Sequence, residues 1–319
     1  METILNNRIV QSAISVILVI GVVLIFFTPM VGFLKRLSNF SVHIMLLYLL
    51  VGMFFFLFDQ KRLVIVSLAC CGALCLFLKN ASNQDMRLAR ENEEPRLSLG
   101  LVDLSSAEDG YEKTVEHILS INADIISLQE LTPNWVPVLN DSLARIYPYH
   151  HLLARIDLFG MGVFSKFPIT GIDTFYFGDI PNLLTTVKVR DDLSFHIIHS
   201  VSEAPVNEQA YTDINGHFRE VAMFMASLEG PVITVGNYRL PSWAPEVQEF
   251  KFSAGLKDSR RDGLPRPSRG IASFFGVPVD HIFYTGGLEC TEFKSLLNEN
   301  SSHLGIYGCY QLKSGNPAQ

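Results

Sequence analysis

The polar residues of this chain that could do chemistry stand where apolar runs end. In residues 231–243, PVITVGNYRLPSW, the β-rich run Val232, Ile233 and Val235 stops at Gly236 and gives way to Asn237, Tyr238, Arg239 and prolines. That is the pattern of a buried strand delivering side chains to a site at its end. Residues 124–131, DIISLQEL, bring Glu130 to the end of another run, just before a proline-containing loop. A carboxylate so placed suits a hard cation such as Mg²⁺, which takes one or two carboxylates plus waters and phosphate oxygens; an ordinary exposed strand-end glutamate reads the same way. Asp103 near the end of residues 97–104 is equally a second oxygen donor or a solvated turn aspartate. Imidazolium can stabilise charge developing on oxygen, and His199 ends SFHIIHS while His303 stands in NSSHLGIY. In VPVDHIFY, Asp280 precedes His281, which reads as a core histidine satisfied by hydrogen bonds. Arg239 can clamp phosphate through its planar fork. The amide of Asn237 has no lone pair basic enough to accept a proton.

A mixed α/β scaffold is needed to position these groups. Residues 97–104 read as a strand, 111–121 as a helix with Val115, Ile118 and Leu119 at helical spacing, and 124–131 as the next strand. A helix is expected over 134–145. Short β-rich runs follow at 162–165, 169–177, 183–189 and 193–199, punctuated by Gly, Pro and Asp. Residues 216–228 read as a helix with Phe218, Val221, Ala222 and Met225 on one face, feeding the strand before Asn237. Residues 279–284 and 304–312 read as closing strands, and no internal repeat is present.

Taken in this order, the motifs resemble the endonuclease/exonuclease/phosphatase superfamily of metal-dependent phosphoesterases. The resemblance covers nearly all of residues 97–312 and looks closest to membrane-anchored bacterial members, in which two or three apolar segments precede the phosphoesterase domain. It implies a fold that periodicity alone does not give: a two-sheet β-sandwich of α/β class flanked by helices, here preceded by three transmembrane helices. It implies Mg²⁺ or Mn²⁺ held by Glu130, by Asp103 where the family's first strand supplies an asparagine, and by Asp280. It implies His199 against the phosphate, with His196 as the match if the register slips, and His303 as the closing histidine. Besides Asp103, three of the expected polar residues are changed, to Asn237, Arg239 and Ser302. The usual Gly-Asp-Phe-Asn reads Gly236-Asn237-Tyr238-Arg239, and Ser-Asp-His reads Ser301-Ser302-His303. Losing the proton-handling carboxylate at position 237 costs on the order of a hundred- to ten-thousandfold in rate. Arg239 in place of the phosphate-positioning asparagine keeps a means of binding, and Ser302 adds no negative charge beside His303. Two functions fit: a membrane-anchored, Mg-dependent phosphoesterase-like protein acting on or binding a phosphate ester, or a catalytically inactive pseudoenzyme serving as a binding or scaffold module.

The 319 residues are 48% hydrophobic with a mean hydropathy of +0.25, high for a purely soluble protein. The excess lies at the front. Residues 9–30 are apolar apart from Gln11, Ser12, Ser15 and Thr28, and are long enough to cross a bilayer. Residues 42–58 and 63–78 are apolar and uncharged, near the lower limit of a span, with Asp59, Lys61 and Arg62 in the gap between them. Three successive apolar segments do not fit a cleaved signal peptide. The expected organisation is therefore a membrane region over 1–78, a polar linker over 79–96 closed by Pro95, the catalytic-type domain over 97–313 and a tail over 314–319. A multi-pass protein of the bacterial inner membrane is expected. Lys35, Arg36, Lys79, Arg87 and Arg90 share the domain's side against Arg8, Lys61 and Arg62 opposite, which leaves the side open.

The expected partners are the lipid bilayer and a phosphate-containing ligand. The net charge of −7 disfavours a nucleic-acid backbone as main partner, so a lipid headgroup or small phosphodiester is expected ahead of long DNA. Lys257, Arg260, Arg261, Arg266 and Arg269, interleaved with Asp258 and Asp262, read as a solvated loop. Cys70, Cys71 and Cys75 read as packing residues, Cys290 and Cys309 as a disulfide or two free thiols, and no metal-type cysteine spacing occurs.

Overall fold

The computed structural model describes residues 7–28, 32–83, 85, 87–106, 110–261, 276–297 and 303–314. It opens with four helices, α1 (Arg8–Phe27), α2 (Gly32–Asn39), α3 (Ser41–Leu57) and α4 (Lys61–Ala81). α1 and α4 are each long and apolar enough to cross a membrane, and α2 with α3, bent by 76°, makes a third only if the pair is one crossing. Two or three spans thus stand where three were expected. Val22, Ile25, Tyr48, Cys70 and Leu74 form the bundle's interior, while Ile17, Leu50, Phe56 and Ile65 face outward, as helices surrounded by hydrocarbon do.

The remaining chain folds into two six-stranded sheets. One contains β1 (Arg96–Asp103), β2 (Ile125–Gln129), β3 (Tyr149–Leu153), β4 (Met161–Ser165), β11 (Leu288–Leu297) and β12 (His303–Leu312), in the order β11-β12-β1-β2-β4-β3. The other contains β5 (Ile169–Phe177), β6 (Ile180–Arg190), β7 (Leu193–Val201), β8 (Val232–Asn237), β9 (Leu256–Asp258) and β10 (Asp280–Thr285), in the order β5-β6-β7-β8-β10-β9. Each sheet carries a central parallel pair, β1 with β2 and β7 with β8. A parallel pair needs a crossover, supplied by α5 (Tyr111–Ile121) and α7 (Glu208–Ala226).

Both faces of the central strands are covered, which is why they read as continuous apolar runs. Between the sheets Leu97, Leu99, Leu101 and Ile306 meet Phe195, Ile197, Ile233, Val235 and Ile282. Outside, α5 and α6 (Trp135–Leu143) bury Ile118, Leu139 and Leu143 on one sheet; α7 and α8 (Pro245–Ser253) bury Phe218, Val221 and Phe250 on the other. α7 starts at Glu208 rather than near Gly216 because the Asn207 side chain caps it, accepting from Ala210 N at 2.8 Å. Gly216 sits inside the helix, where a Cβ would lie 3.1 Å from the Phe177 ring.

The sandwich is seated on the N-terminal helices. Lys35 of α2 forms a buried ion pair with Glu246 of α8 and lies 4.3 Å from the centre of the Tyr211 ring. Trp243 Nε1 donates to the carbonyls of Ser38 and Asn39 at 3.1 and 3.2 Å, and Lys251 Nζ donates to Ala81 O at 2.7 Å. The end of α4 and the whole of α2 therefore lie against the domain.

The basic cluster is not a solvated loop where it is described. Lys257 and Asp258 belong to β9, and Arg260 is 6% exposed with its Cζ 5.1 Å from the Phe293 ring; Arg266, Arg269 and Asp262 lie outside the described residues. Cys290 and Cys309 are free thiols.

Candidate functional site

Strand pairing gathers the candidate residues at one end of the sandwich. Asp103 of β1 pairs with Gln129 of β2, Val201 of β7 with Asn237 of β8, and Asn237 in turn with Asp280 of β10. His303 opens β12, close to where Gly305 pairs with Val102.

The sheets are latched together here by Gln129, a residue that motif reading passed over. Its Nε2 donates to Ser200 O at 2.7 Å and its Oε1 accepts from Asn237 N at 2.9 Å. Gly236 is obligatory at this crossing, because a Cβ would fall 1.6 Å from Ser200 O. The one signal for Gln129 in the sequence is its place in SLQEL, inside the strand and next to Glu130.

Successive strand residues point to opposite faces, but Glu130 leaves the strand in a left-handed conformation with φ +53°. Its side chain thereby also reaches toward the second sheet. Arg239, likewise left-handed at φ +55°, comes from the turn after β8 to meet it. Arg239 Nη2 lies 2.7 Å from Glu130 Oε1, with the two side chains 26% and 13% exposed. Non-glycine residues avoid this region, at roughly 1–3 kcal/mol each when held there, and the surroundings hold both. Asn237 Oδ1 accepts from Arg239 N at 3.0 Å, fixing the turn. The amide at 237 is thus a structural clamp as well as a group unable to take a proton.

Asp280 and His303 form the second pair, Oδ2 to Nε2 at 2.5 Å, with Asp280 buried and the His303 side chain 44% exposed. The carboxylate beside this ring comes from β10 of the opposite sheet, whatever stands at position 302; Ser302 itself lies outside the described residues. Asp280 Oδ1 is buried with no hydrogen-bond partner among the described residues. Asp103 Oδ1 accepts from Ser105 N at 2.9 Å and from Ser105 Oγ at 2.7 Å. Burial raises the Asp103 pKa above its ordinary value; the Ser105 hydroxyl opposes this, while the charges of Asp280 and Glu130 add to it. Asp103, Glu130 and Asp280 are therefore close enough to feel one another.

His199 is a correction. It is 0% exposed, hydrogen-bonded between Ser127 Oγ at 2.8 Å and Thr185 Oγ1 at 3.1 Å, and burial pushes its pKa down to about 3. It pairs with Val235, two residues short of the cleft, and the position of β7 opposite Asn237 is Val201. A ring sealed between the sheets cannot touch a phosphate in the cleft. His196 turns the other way, to Glu229 O at 3.0 Å. His281 is 1% exposed and bonded to Leu240 O at 2.9 Å, a core residue.

The expected Mg²⁺ or Mn²⁺ does not fit these donors as they stand. A divalent ion of this kind takes one or two free carboxylates and completes a near-octahedral shell with waters and phosphate oxygens. Here Glu130 Oε1 is bound to a guanidinium, Asp280 Oδ2 to an imidazole and Asp103 Oδ1 to two donors of Ser105, while position 237 offers an amide; of the remaining carboxylate oxygens Asp280 Oδ1 is buried without a hydrogen-bond partner among the described residues, one oxygen where the expected site needs a set. Among the described residues no group of three or more His, Cys, Asp or Glu is arranged to hold a metal ion.

Comparison with known proteins agrees with this architecture. The model of the Endonuclease/Exonuclease/phosphatase family matches residues 100–303. Among solved structures, a humanized D. rerio TDP2 carrying 14 mutations superposes with a TM-score of 0.56 at 16% identity, covering 68% of this chain and 99% of that one. An endonuclease/exonuclease/phosphatase from Bacteroides vulgatus gives 0.57 at 13% identity over 69% of this chain and 100% of that one. Sphingomyelinase C from Streptomyces griseocarneus gives 0.51 at 14% identity over 69% and 100%. Identities this low establish the shared fold. No curated protein matches in sequence.

Proposed function

The chain belongs to the Endonuclease/Exonuclease/phosphatase family, and on that premise we propose that it is a membrane-anchored protein whose cleft binds a phosphate ester without turning it over at a family rate. The ligand is a lipid headgroup or a small phosphodiester, and the setting is the bacterial inner membrane. One observation carries this reading: Arg239 and the Asp280–His303 pair stand at the same cleft, ready to meet a phosphate, while the residue that would handle protons is the amide of Asn237. Removing such a group lowers rate on the order of a hundred- to ten-thousandfold while leaving anion binding to the cations. The net charge of −7 and the seating of the sandwich on α2 and α4 favour a ligand at the membrane over a polynucleotide.

A hydrolase is the second reading, favoured by the Asp280–His303 pair, in which a buried carboxylate orients a partly exposed imidazole. Release of nitrophenol from bis(p-nitrophenyl) phosphate and p-nitrophenyl phosphate, by the full chain in nanodiscs with Mg²⁺ or Mn²⁺, separates the two. No release above background is expected; release that Glu130→Ala abolishes establishes the hydrolase instead.

A further inference from the structure

We infer that Arg239 stands, as a tethered guanidinium, in the place a divalent ion would take against Glu130, so that the cleft neutralises a bound phosphate with its own side chains and no metal. The inference deepens the reading of a phosphate-binding cleft and rests on it only for the identity of the anion.

Three observations converge. The guanidinium lies 2.7 Å from a glutamate only 13% exposed, a carboxylate that needs a cation partner in such a setting. Both partners adopt left-handed backbone, and they are two of the five non-glycine residues with positive φ among the described residues. Such conformations persist only where surrounding contacts dictate them, and here they aim one side chain at the other. Each neighbouring carboxylate also has one oxygen engaged by a protein donor, Asp280 Oδ2 by His303 and Asp103 Oδ1 by Ser105, while Asp280 Oδ1 is buried without a partner among the described residues. A guanidinium presents five N–H donors in a fixed fork. Nη2 is on Glu130, and with the side chain 26% exposed the rest of the fork is available to two oxygens of a phosphate.

The test reads the metal directly. Mn²⁺ is titrated into the full chain in phosphatidylcholine nanodiscs, and the free ion is counted by electron paramagnetic resonance. Wild type is expected to take up no more than empty nanodiscs. Arg239→Asn and the longer Arg239→Gln are expected to bind one Mn²⁺ per chain at least tenfold more tightly, and Glu130→Gln added to either removes the site. Uptake by wild type that Glu130→Gln abolishes overturns the inference. So does failure of both arginine variants to bind while they unfold at the wild-type temperature, since something other than the guanidinium then excludes the ion. If both variants misfold, wild type decides alone: its affinity for phenyl phosphate is expected to be equal in EDTA and in Mg²⁺, and dependence on Mg²⁺ overturns the inference. A wild type that binds neither Mn²⁺ nor phenyl phosphate sinks the proposed function; the guanidinium substitution then stands only if the arginine variants gain the Mn²⁺ site, and falls with the proposed function if they do not.

Discussion

Complete burial between the sheets keeps His199, which is hydrogen-bonded to two hydroxyls, neutral, and this gives the domain an acid-labile joint. In the unfolded chain the ring takes a proton near its ordinary 6.5, whereas in the fold it resists until about 3. The unfolded state therefore binds more protons across that interval. Stability is fully present above pH 6.5 and is lost as pH falls toward 3. His217 and His281, each lowered to about 4 by burial, act in the same direction. Denaturant unfolding of the full chain from pH 7 to pH 4 should show this fall, and His199→Gln should flatten it by about one proton, or about 1.4 kcal/mol per pH unit. An unchanged slope in the variant would mean that His199 is already charged in the fold. At the same scale, Glu130, Asp280 and His303 were legible because each stands beside a recognisable motif. The Arg239–Glu130 pair was not, because it depends on two left-handed turns brought together from different sheets. His199 misled because residue type carries no register: only the pairing with Val235 shows that it stops short of the cleft.

Elements differ in how clearly they announce themselves, and the reason is their surroundings. β1, β2, β5 and β8 are long apolar or alternating runs bounded by turns, and their limits were close to those read from sequence. β11 was missed because a bulge between Cys290 and Glu292 shifts its alternation and its outer face is in part solvated. α8 was missed because PEVQEFKFS shows no clean apolar stripe, and α2 because GFLKRLSN is a short polar helix lodged between apolar ones. Those last two elements meet where the N-terminal helices join the sandwich. Glu246→Ala removes the buried partner of Lys35, and breaking such a pair destabilises by about 3–5 kcal/mol. Faster deuterium uptake across α2 and α8, with the sandwich core unaffected, is the expected result. Unchanged exchange in α2 would show that the seating does not depend on the Lys35–Glu246 pair.

Beyond the N-terminal helices the molecule is two similar halves, each a sheet built around a parallel pair with a helical crossover, facing each other so that both pairs end at the same end of the sandwich. The sequence pattern announced α/β and a membrane region, but the face-to-face sheets came only from the family resemblance, since strand order is set by contacts far apart in the chain. The charges at the cleft come from both halves: Glu130 from one sheet meets Arg239 from the other, and His303 from the first meets Asp280 from the second. Such an arrangement should grip a phosphate ester only when the halves are assembled, and calorimetric titration of the nanodisc-embedded full chain with a soluble glycerophosphodiester tests this. Saturable one-to-one binding is expected. It should weaken at least tenfold in Arg239→Ala, in line with about 1.5–3 kcal/mol for a charged hydrogen bond. Arg190→Ala, at the far end of β6 and paired with Asp192, should leave binding unchanged. No binding by the wild type, or equal binding by all three proteins, would show that the cleft is not a phosphate site.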